Sequence, residues 1–195
     1  MEIIQLQDSK KIVPLIVERL KKGEVLVVPT DTVYGLICDA SNREAVKKIF
    51  LIKKREEAKP LAVFVRDIKM AEKYAFVGKE QKDFLKENWP GALTVILNAK
   101  NTKLSELVYK DKAIGLRQPN YRVILEVLKK IKRPLAQTSA NISGQSALTR
   151  VEEVLAEFNG QGVKPDMVID AGDLPENKPS KVVDFTNNKP NIIRP

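Results

Sequence analysis

Histidine is absent from this chain. The absence removes Ser-His and Cys-His nucleophile pairs, imidazole acid/base chemistry and histidine-containing zinc sites. Cysteine occurs once, at Cys38. That is too few for an internal disulfide framework and suits a reducing cytoplasm. With no base to activate it, Cys38 reads as a small core residue. No apolar run approaches membrane-spanning length, and the N-terminus lacks the layout of a signal peptide. Neither Gly-x-x-x-x-Gly-Lys-Ser/Thr nor Gly-x-Gly-x-x-Gly occurs, which argues against P-loop NTPases and Rossmann dinucleotide enzymes. No Cys or His cluster spells a metal site, and no aromatic-basic ribonucleoprotein signature is present. Any catalysis must run on Lys, Arg, Asp, Glu, hydroxyls and backbone.

What remains suits one globular domain spanning 1–195, because 43% of the residues are hydrophobic. No internal repeat, low-complexity tract or linker divides it. Lysine and arginine exceed the acids, giving a formal charge of +9. That balance favours anionic partners such as nucleotides, phosphates or RNA.

The pattern alternates strands and helices, which predicts an α/β fold. A stripe of Ile12, Leu15, Ile16 and Leu20 predicts a helix from Asp8 to Lys22, with Pro14 delaying its regular part. Val25 to Val28 reads as a buried strand. Asn42 caps a helix reaching Arg55, Leu61 to Val65 is a second strand, and short helices follow at Met70–Tyr74 and Gln81–Glu87. Trp89-Pro90-Gly91 is a turn, Thr94 to Leu97 a strand, and Ala99 to Asp111 a mobile polar loop. Ala113 to Arg117 is a strand ending on a cation, and Pro119 opens a helix with Ile124, Leu125, Leu128 and Ile131 on its face. Leu135 to Thr138 is a strand, and Thr149 with Glu152 has the spacing of a capping box. That helix stops at Asn159-Gly160. Met167 to Asp170 and Lys181 to Phe185 are strands, the latter turned back at Asn187-Asn188 onto Ile192 to Arg194. The late hairpin implies a mixed sheet.

Polar groups gather at the strand ends. Thr30, Asp31 and Thr32 follow the first buried strand, Arg117 ends another, Ser139 and Asn141 follow a third, Ser180 precedes a fourth and Arg194 follows the last. Converging, they would form a cleft of hydroxyls and guanidinium groups suited to phosphate and carboxylate. Taken singly they are weaker: a Thr/Asp-rich turn simply closes many strands, and Lys53, Arg55 and Lys59 also read as dipole complementation at a helix end.

The ordered set Pro29-Thr30-Asp31-Thr32-Val33-Tyr34-Gly35-Leu36, Lys53-Lys54-Arg55 with Lys59-Pro60-Leu61, Pro90-Gly91-Ala92-Leu93-Thr94 and Gly115-Leu116-Arg117-Gln118-Pro119 goes further. With Ser139-Ala140-Asn141-Ile142-Ser143-Gly144, Ser180-Lys181-Val182-Val183-Asp184 and Ile192-Ile193-Arg194-Pro195, it resembles the threonylcarbamoyl-AMP synthase family, the YrdC-like proteins. The resemblance spans nearly the whole chain and implies an open, twisted mixed α/β sheet with flanking helices and a basic concave face. It implies joining of L-threonine, bicarbonate and ATP, with Mg²⁺ accompanying the ATP and pyrophosphate released. The product would pass to downstream threonylcarbamoyl-transferase proteins for modification of adenosine 37 in tRNAs reading ANN codons.

By position, the resemblance assigns Thr32, Arg117, Ser139 and Ser180 to L-threonine. It assigns Arg55, Lys59, Asn141, Thr149 and Arg194 to ATP, with Lys53 near the phosphates; Lys53 and Arg55 are the catalytic candidates. No metal ligand is assigned. Tyr34 and Leu36 are expected to pack beneath the site. The chain departs from the family at Glu56, where a proline is usual, and at Phe64, where some members place a threonine-contacting histidine. Lys59 stands where Asn or Lys is common, and Lys181 replaces a threonine, adding a charge near the site. No further C-terminal domain is expected, as in the short form of the family. Other readings are an RNA-binding module using the basic face, with tRNA or double-stranded RNA as partner, and a related domain serving another carbamoyl transfer. The chemistry fits the composition: a carbamate attacking the ATP α-phosphorus needs positioning and charge neutralisation, not a histidine.

Overall fold

The computed structural model describes residues 1–187 and 189–195. The chain opens with β1 (Glu2–Gln5), then α1 (Ser9–Lys21), whose N-terminus is closed by Asp8 accepting from the Lys10 amide. Next come β2 (Leu26–Val28) and β3 (Gly35–Asp39), followed by α2 (Arg43–Lys53), capped by Asn42 accepting from the Ala45 amide. After β4 (Ala62–Phe64) stand α3 (Ile68–Tyr74) and α4 (Lys79–Asn88), then β5 (Leu93–Asn98). A hairpin of β6 (Tyr109–Lys110) and β7 (Ala113–Arg117) leads to α5 (Arg122–Ile131) and β8 (Leu135–Ser139). The chain ends with α6 (Val151–Phe158), β9 (Met167–Asp170), β10 (Lys181–Asp184) and β11 (Asn191–Arg194).

All the described strands join one open sheet in the order β1-β9-β2-β3-β8-β4-β7-β5-β10-β11, with β6 beside β7. Pairing is mixed as expected. β1 and β2 run parallel to β9, β4 to β7 and β5 to β10, while the remaining ladders are antiparallel.

Side-chain alternation splits the core into two layers. Val27, Leu36, Cys38, Val63, Val95, Leu116 and Val183 face a layer with residues of α2, α3, α4 and α6. Leu26, Val28, Ile37, Phe64, Leu135 and Ile169 face the other, which is closed by α1 and α5. That second layer stops short. On the same face, beyond α1 and α5, Ala62, Thr94, Ile96, Gly115 and Val182 are left to floor a cleft of about 820 Å³. The half-covered sheet creates the site.

Several expectations change. α1 does not start late: Pro14 sits within it, because Asp8 fixes the first turn and Ile12, Val13, Ile16, Val17 and Leu20 are buried against the sheet. The Lys10 carbonyl that Pro14 cannot reach is on an exposed residue, where leaving it without a helical donor costs least. The Thr149 capping box does not form; Arg150 is the cap without a side-chain bond, and the Thr149 carbonyl is engaged by the Leu174 amide. Pro119 precedes α5 rather than opening it. β1 and β3 were not expected, since neither shows alternation: β3 is buried along its whole length. The stretch 99–111 is not free loop. Ser105 donates its amide to Ala40, Leu107 accepts from Leu61, and Val108 is buried. The hairpin of β10 and β11 forms, while Asn188 of the expected Asn187-Asn188 turn lies outside the described residues.

Pro14→Ala tests the reading of α1. Restoring the missing donor in an exposed position raises stability by about 1 kcal/mol, net of the extra freedom gained by the unfolded chain. Thermal denaturation is expected to show a rise of roughly 2–4 °C. A lower melting temperature refutes it.

Candidate active site

Three strand ends converge on the cleft from below. After β2, the Thr30 hydroxyl donates to the Val33 carbonyl at 2.7 Å and accepts from the Thr32 and Val33 amides at 3.1 and 3.3 Å. This local turn sends the chain back antiparallel as β3. With the Thr30 proton so committed, the 3.0 Å contact between the Thr30 and Thr32 hydroxyls requires Thr32 to donate. The Thr32 oxygen is then free to accept from Arg117 Nη1 at 3.3 Å.

Arg117 ends β7 and is only 3% exposed. Its Nη2 donates to Asp31 Oδ1 at 2.7 Å and its Nε to the Gly91 carbonyl at 3.0 Å. The Phe64 ring lies beneath the guanidinium, 5.7 Å from centroid to Cζ, a cation–π geometry. Asp31 in turn accepts from the Asn120 amide, so one carboxylate ties the turn after β2 to the segment after β7. Burial lowers the Arg117 pKa, Asp31 opposes that, and Arg194 adds to it.

A second group stands at β10. The Ser180 and Thr94 hydroxyls are 3.0 Å apart. Arg194 donates through Nε and Nη2 to the Ser180 carbonyl at 2.9 and 2.6 Å. Arg55 donates to the carbonyls of Lys59 and Pro60, which shapes the loop after α2. Burial, then Arg194, lowers the Arg55 pKa, and burial lowers that of Arg194. Among the described residues, only Arg117 of these three guanidinium groups meets a carboxylate. The cleft is short of negative charge.

The loop after β8 forms the third wall. Ser139 and Asn141 line the cleft, and no bond among the described residues occupies the Ser139 hydroxyl. Lys53, 1% exposed, spends its ammonium on this loop, donating to the Ser139 carbonyl at 2.7 Å, the Asn141 carbonyl at 2.6 Å and Asn141 Oδ1 at 3.2 Å. Asn141 Nδ2 donates to the Ile142 and Gln145 carbonyls. Burial and the nearby Arg55 bring the Lys53 pKa down to about 7, with Glu157 opposing.

Of the residues singled out in the sequence, Thr32, Arg55, Lys59, Arg117, Ser139, Asn141, Ser180 and Arg194 line one cleft. Lys53 and Thr149 do not. Lys53, expected beside phosphates, lies under the loop because three carbonyl-type oxygens surround its ammonium. Lys181 adds no charge to the cleft: Val182 and Asp184 face it, so alternation turns Lys181 to the opposite face. Phe64 is fully buried and serves Arg117 from beneath. Lys59 is exposed and pairs with Glu56 at 3.2 Å. Tyr34 and Leu36 pack beneath the site; the Tyr34 hydroxyl donates to the Gly172 carbonyl, and burial raises its pKa to about 12. Asp31 was missed as a site residue although it stands inside the first motif, because its partner is distant in sequence. Thr94 was missed as well: it stood in one of the motifs and in a strand, with no role assigned to it.

The Lys53 environment has a pH signature. Its folded pKa, about 7, lies below its unfolded value of 10.5, so between those values the unfolded chain binds more protons and stability rises with pH. Relative to Lys53→Met, the wild-type chain gains stability from pH 7 to 9, at a slope approaching about 1.4 kcal/mol per pH unit. Urea unfolding at several pH values measures the difference. Parallel pH profiles for the two proteins refute the placement.

The Sua5/YciO/YrdC family model, described as "Telomere recombination", matches residues 18–195. A Methanocaldococcus jannaschii relative, provisionally named a threonylcarbamoyl-AMP synthase, is 37% identical over 188 residues, 96% of this chain and 87% of its own length. The Bacillus subtilis threonylcarbamoyl-AMP synthase is 34% identical over 178 residues, 90% of this chain. This chain spans only about half of that protein, 51%. Among solved structures, Pyrococcus abyssi Sua5 complexed with L-threonine superposes with a TM-score of 0.89 at 28% identity, covering 100% of this chain and 56% of that one. Motif order, sheet topology and a matching model over nearly the whole length agree: the chain belongs to the Sua5/YciO/YrdC family.

Proposed function

We propose that the chain is an L-threonylcarbamoyladenylate synthase, a nucleotidyltransferase joining L-threonine, bicarbonate and ATP. The observation that carries this reading is the charge deficit of the cleft. Burial lowers the pKa of Arg55, Arg117 and Arg194, and Arg194 lowers the other two further, yet Asp31 is their only carboxylate partner among the described residues. A carboxylate and a triphosphate bound together would restore the balance. The names of the relatives and the threonine bound to P. abyssi Sua5 support the same reading.

In this reading Arg117 receives the threonine carboxylate, with Thr32, Ser139 and Ser180 around the amino-acid end. Arg117 already donates to Asp31, Thr32 and Gly91, so it is pre-oriented and loses little freedom on binding. The threonine amine adds to bicarbonate with loss of water. The resulting carbamate oxygen attacks the α-phosphorus of ATP, and the bond to pyrophosphate breaks. Arg55, Lys59 and Arg194 neutralise charge that shifts onto the leaving pyrophosphate, while Asn141 shapes the loop beside it. Lys53 contributes through that loop.

Mg²⁺ enters in this scheme on the triphosphate of ATP, where it offsets phosphate charge. The adenylate would then pass to a threonylcarbamoyl-transferring partner acting on tRNA.

The test is pyrophosphate release, expected only when ATP, L-threonine and bicarbonate are all present. Equal release without threonine, or none at all, sinks the synthase. Tight RNA binding without turnover would favour a binding module instead. Arg55→Ala is expected to lower kcat/KM for ATP by about tenfold or more, as the loss of a charge-assisted phosphate contact requires. Unchanged kinetics would move the triphosphate elsewhere.

A further inference from the structure

Glu157 lies outside every motif that carries the family resemblance, yet it grips the wall of the cleft. It stands near the end of α6, whose Val154 and Phe158 are fully buried and give it a rigid base. Its Oε1 accepts from the Ile142 amide at 2.7 Å. The Gln145 side-chain amide, in the orientation that satisfies both its oxygen and its nitrogen, donates to Oε1 at 2.8 Å and Oε2 at 3.1 Å. The end of α6 is itself held by Gln161 donating to the Glu157 carbonyl at 2.7 Å.

Lys53 holds the same loop by its acceptors. Its ammonium takes the carbonyls of Ser139 and Asn141, and its own carbonyl accepts from the Ser143 amide at 2.9 Å. A cation on α2 therefore binds the loop's oxygens, and an anion on α6 binds its N–H groups. The two halves of the loop differ in what else fixes them. Ser139 is in register with Gly35 in the β3–β8 ladder, and the Ala140 amide donates to the Tyr34 carbonyl, so the sheet sets the beginning. From Asn141 to Gln145 no strand or helix continues. Apart from two local bonds, from the Asn141 amide to Ser139 and from the Gln145 amide to Ile142, their hydrogen bonding rests on Lys53, Asn141 and Glu157.

We propose that Glu157 is a positioning residue for the nucleotide half of the cleft, setting Asn141 to Gln145 against the triphosphate through the Ile142 amide and the Gln145 side chain. The assignment of that half to a nucleotide rests on the synthase reading above. Threonine recognition depends on the sheet-anchored Ser139 and on Arg117, so it is insulated from the clamp. A carboxylate suits the task better than an amide. It accepts from both donors at once and leaves no N–H facing the Ile142 amide.

Calorimetric titration with ATP–Mg²⁺ and, separately, with L-threonine tests this on the whole chain, beside the three-substrate pyrophosphate assay. Glu157→Ala is expected to weaken ATP binding about tenfold or more and threonine binding less than about twofold, a loss typical of supporting hydrogen bonds around a binding group. Glu157→Gln, which keeps an acceptor for the Ile142 amide, is expected to recover most of the ATP affinity. Unchanged ATP affinity in Glu157→Ala, or equal loss for both ligands, overturns the proposal. If Glu157→Ala does not fold, Glu157→Asp, which withdraws the carboxylate from the Ile142 amide and the Gln145 side chain without changing the charge, must give the same selective loss. A wild-type chain that binds ATP without threonine-dependent pyrophosphate release refutes the synthase and leaves the Glu157 comparison decisive. One that binds no ATP overturns both.

Discussion

A guanidinium buried at the end of a central strand constrains everything around it. Removing an arginine from water costs several kcal/mol unless its donors are met where it lies. Arg117 is met from three directions at once, by Asp31 on the turn after β2, by the Gly91 carbonyl before β5 and by the Phe64 ring on β4. These segments are far apart in the chain. They come together only in the observed strand order, where β4 and β5 flank β7 on either side. Asp31 reaches across from the far side of β8, and its second oxygen accepts from Asn120, which fixes how the chain leaves β7 toward α5. The pair is therefore both a requirement of the topology and the first feature of the cleft.

The cleft exists because the layer of α1 and α5 covers only part of one sheet face. A strand face left bare by helices would normally be an exposed apolar patch. Here small or polar residues, Ala62, Gly115, Thr94, Gln137 and Asp184, are interspersed with the apolar Ile96 and Val182. Gly115 lies between Thr94 and Ala62, where an added Cβ would come within 3.5 Å of the threonine methyl and 3.7 Å of the alanine. The floor stays low, so a ligand can lie against backbone. Facing the opposite layer, the neighbouring residues Leu116, Val95 and Val63 are fully buried, which keeps that floor rigid.

Sequence reading reached the mixed α/β fold and most of the cleft wall for physical reasons that also explain its failures. Strand-end motifs are local, so Thr32, Arg117, Ser139, Ser180 and Arg194 were legible as polar groups delivered by apolar runs, and they line one cleft. β3 was invisible because it is buried on both faces and carries no period-two signal. α1 was misjudged because a local rule about proline was outweighed by a buried face that the rule does not see. Thr149 was misplaced by a spacing that fits a capping box, whereas its carbonyl is held by Leu174, twenty-five positions on. Lys53 was placed by motif correctly and by environment wrongly. Nothing in Lys53-Lys54-Arg55 says that the first cation turns inward to carbonyls of a distant loop while Arg55 faces the cleft.

That difference separates two uses of charge in one small region. Lys53, Asp31 and Glu157 are consumed inside the protein: each has its hydrogen bonds filled by backbone or side chain. Arg55 donates to carbonyls and Arg194 to the carbonyl and hydroxyl of Ser180, neutral acceptors that orient them without cancelling their charge. The first set lets irregular loops hold a fixed shape; the second leaves a positive field in that shape. A field that is already oriented needs no reorganisation when an anion arrives, and that is where electrostatic catalysis gains most. It also removes any need for a group that titrates near neutral pH to take up a proton. A carbamate attacking a phosphorus has no proton left to surrender, and pyrophosphate leaves as an anion. The missing histidine then ceases to be a puzzle, because the proposed reaction asks this cleft for fixed charge and geometry and for no imidazole.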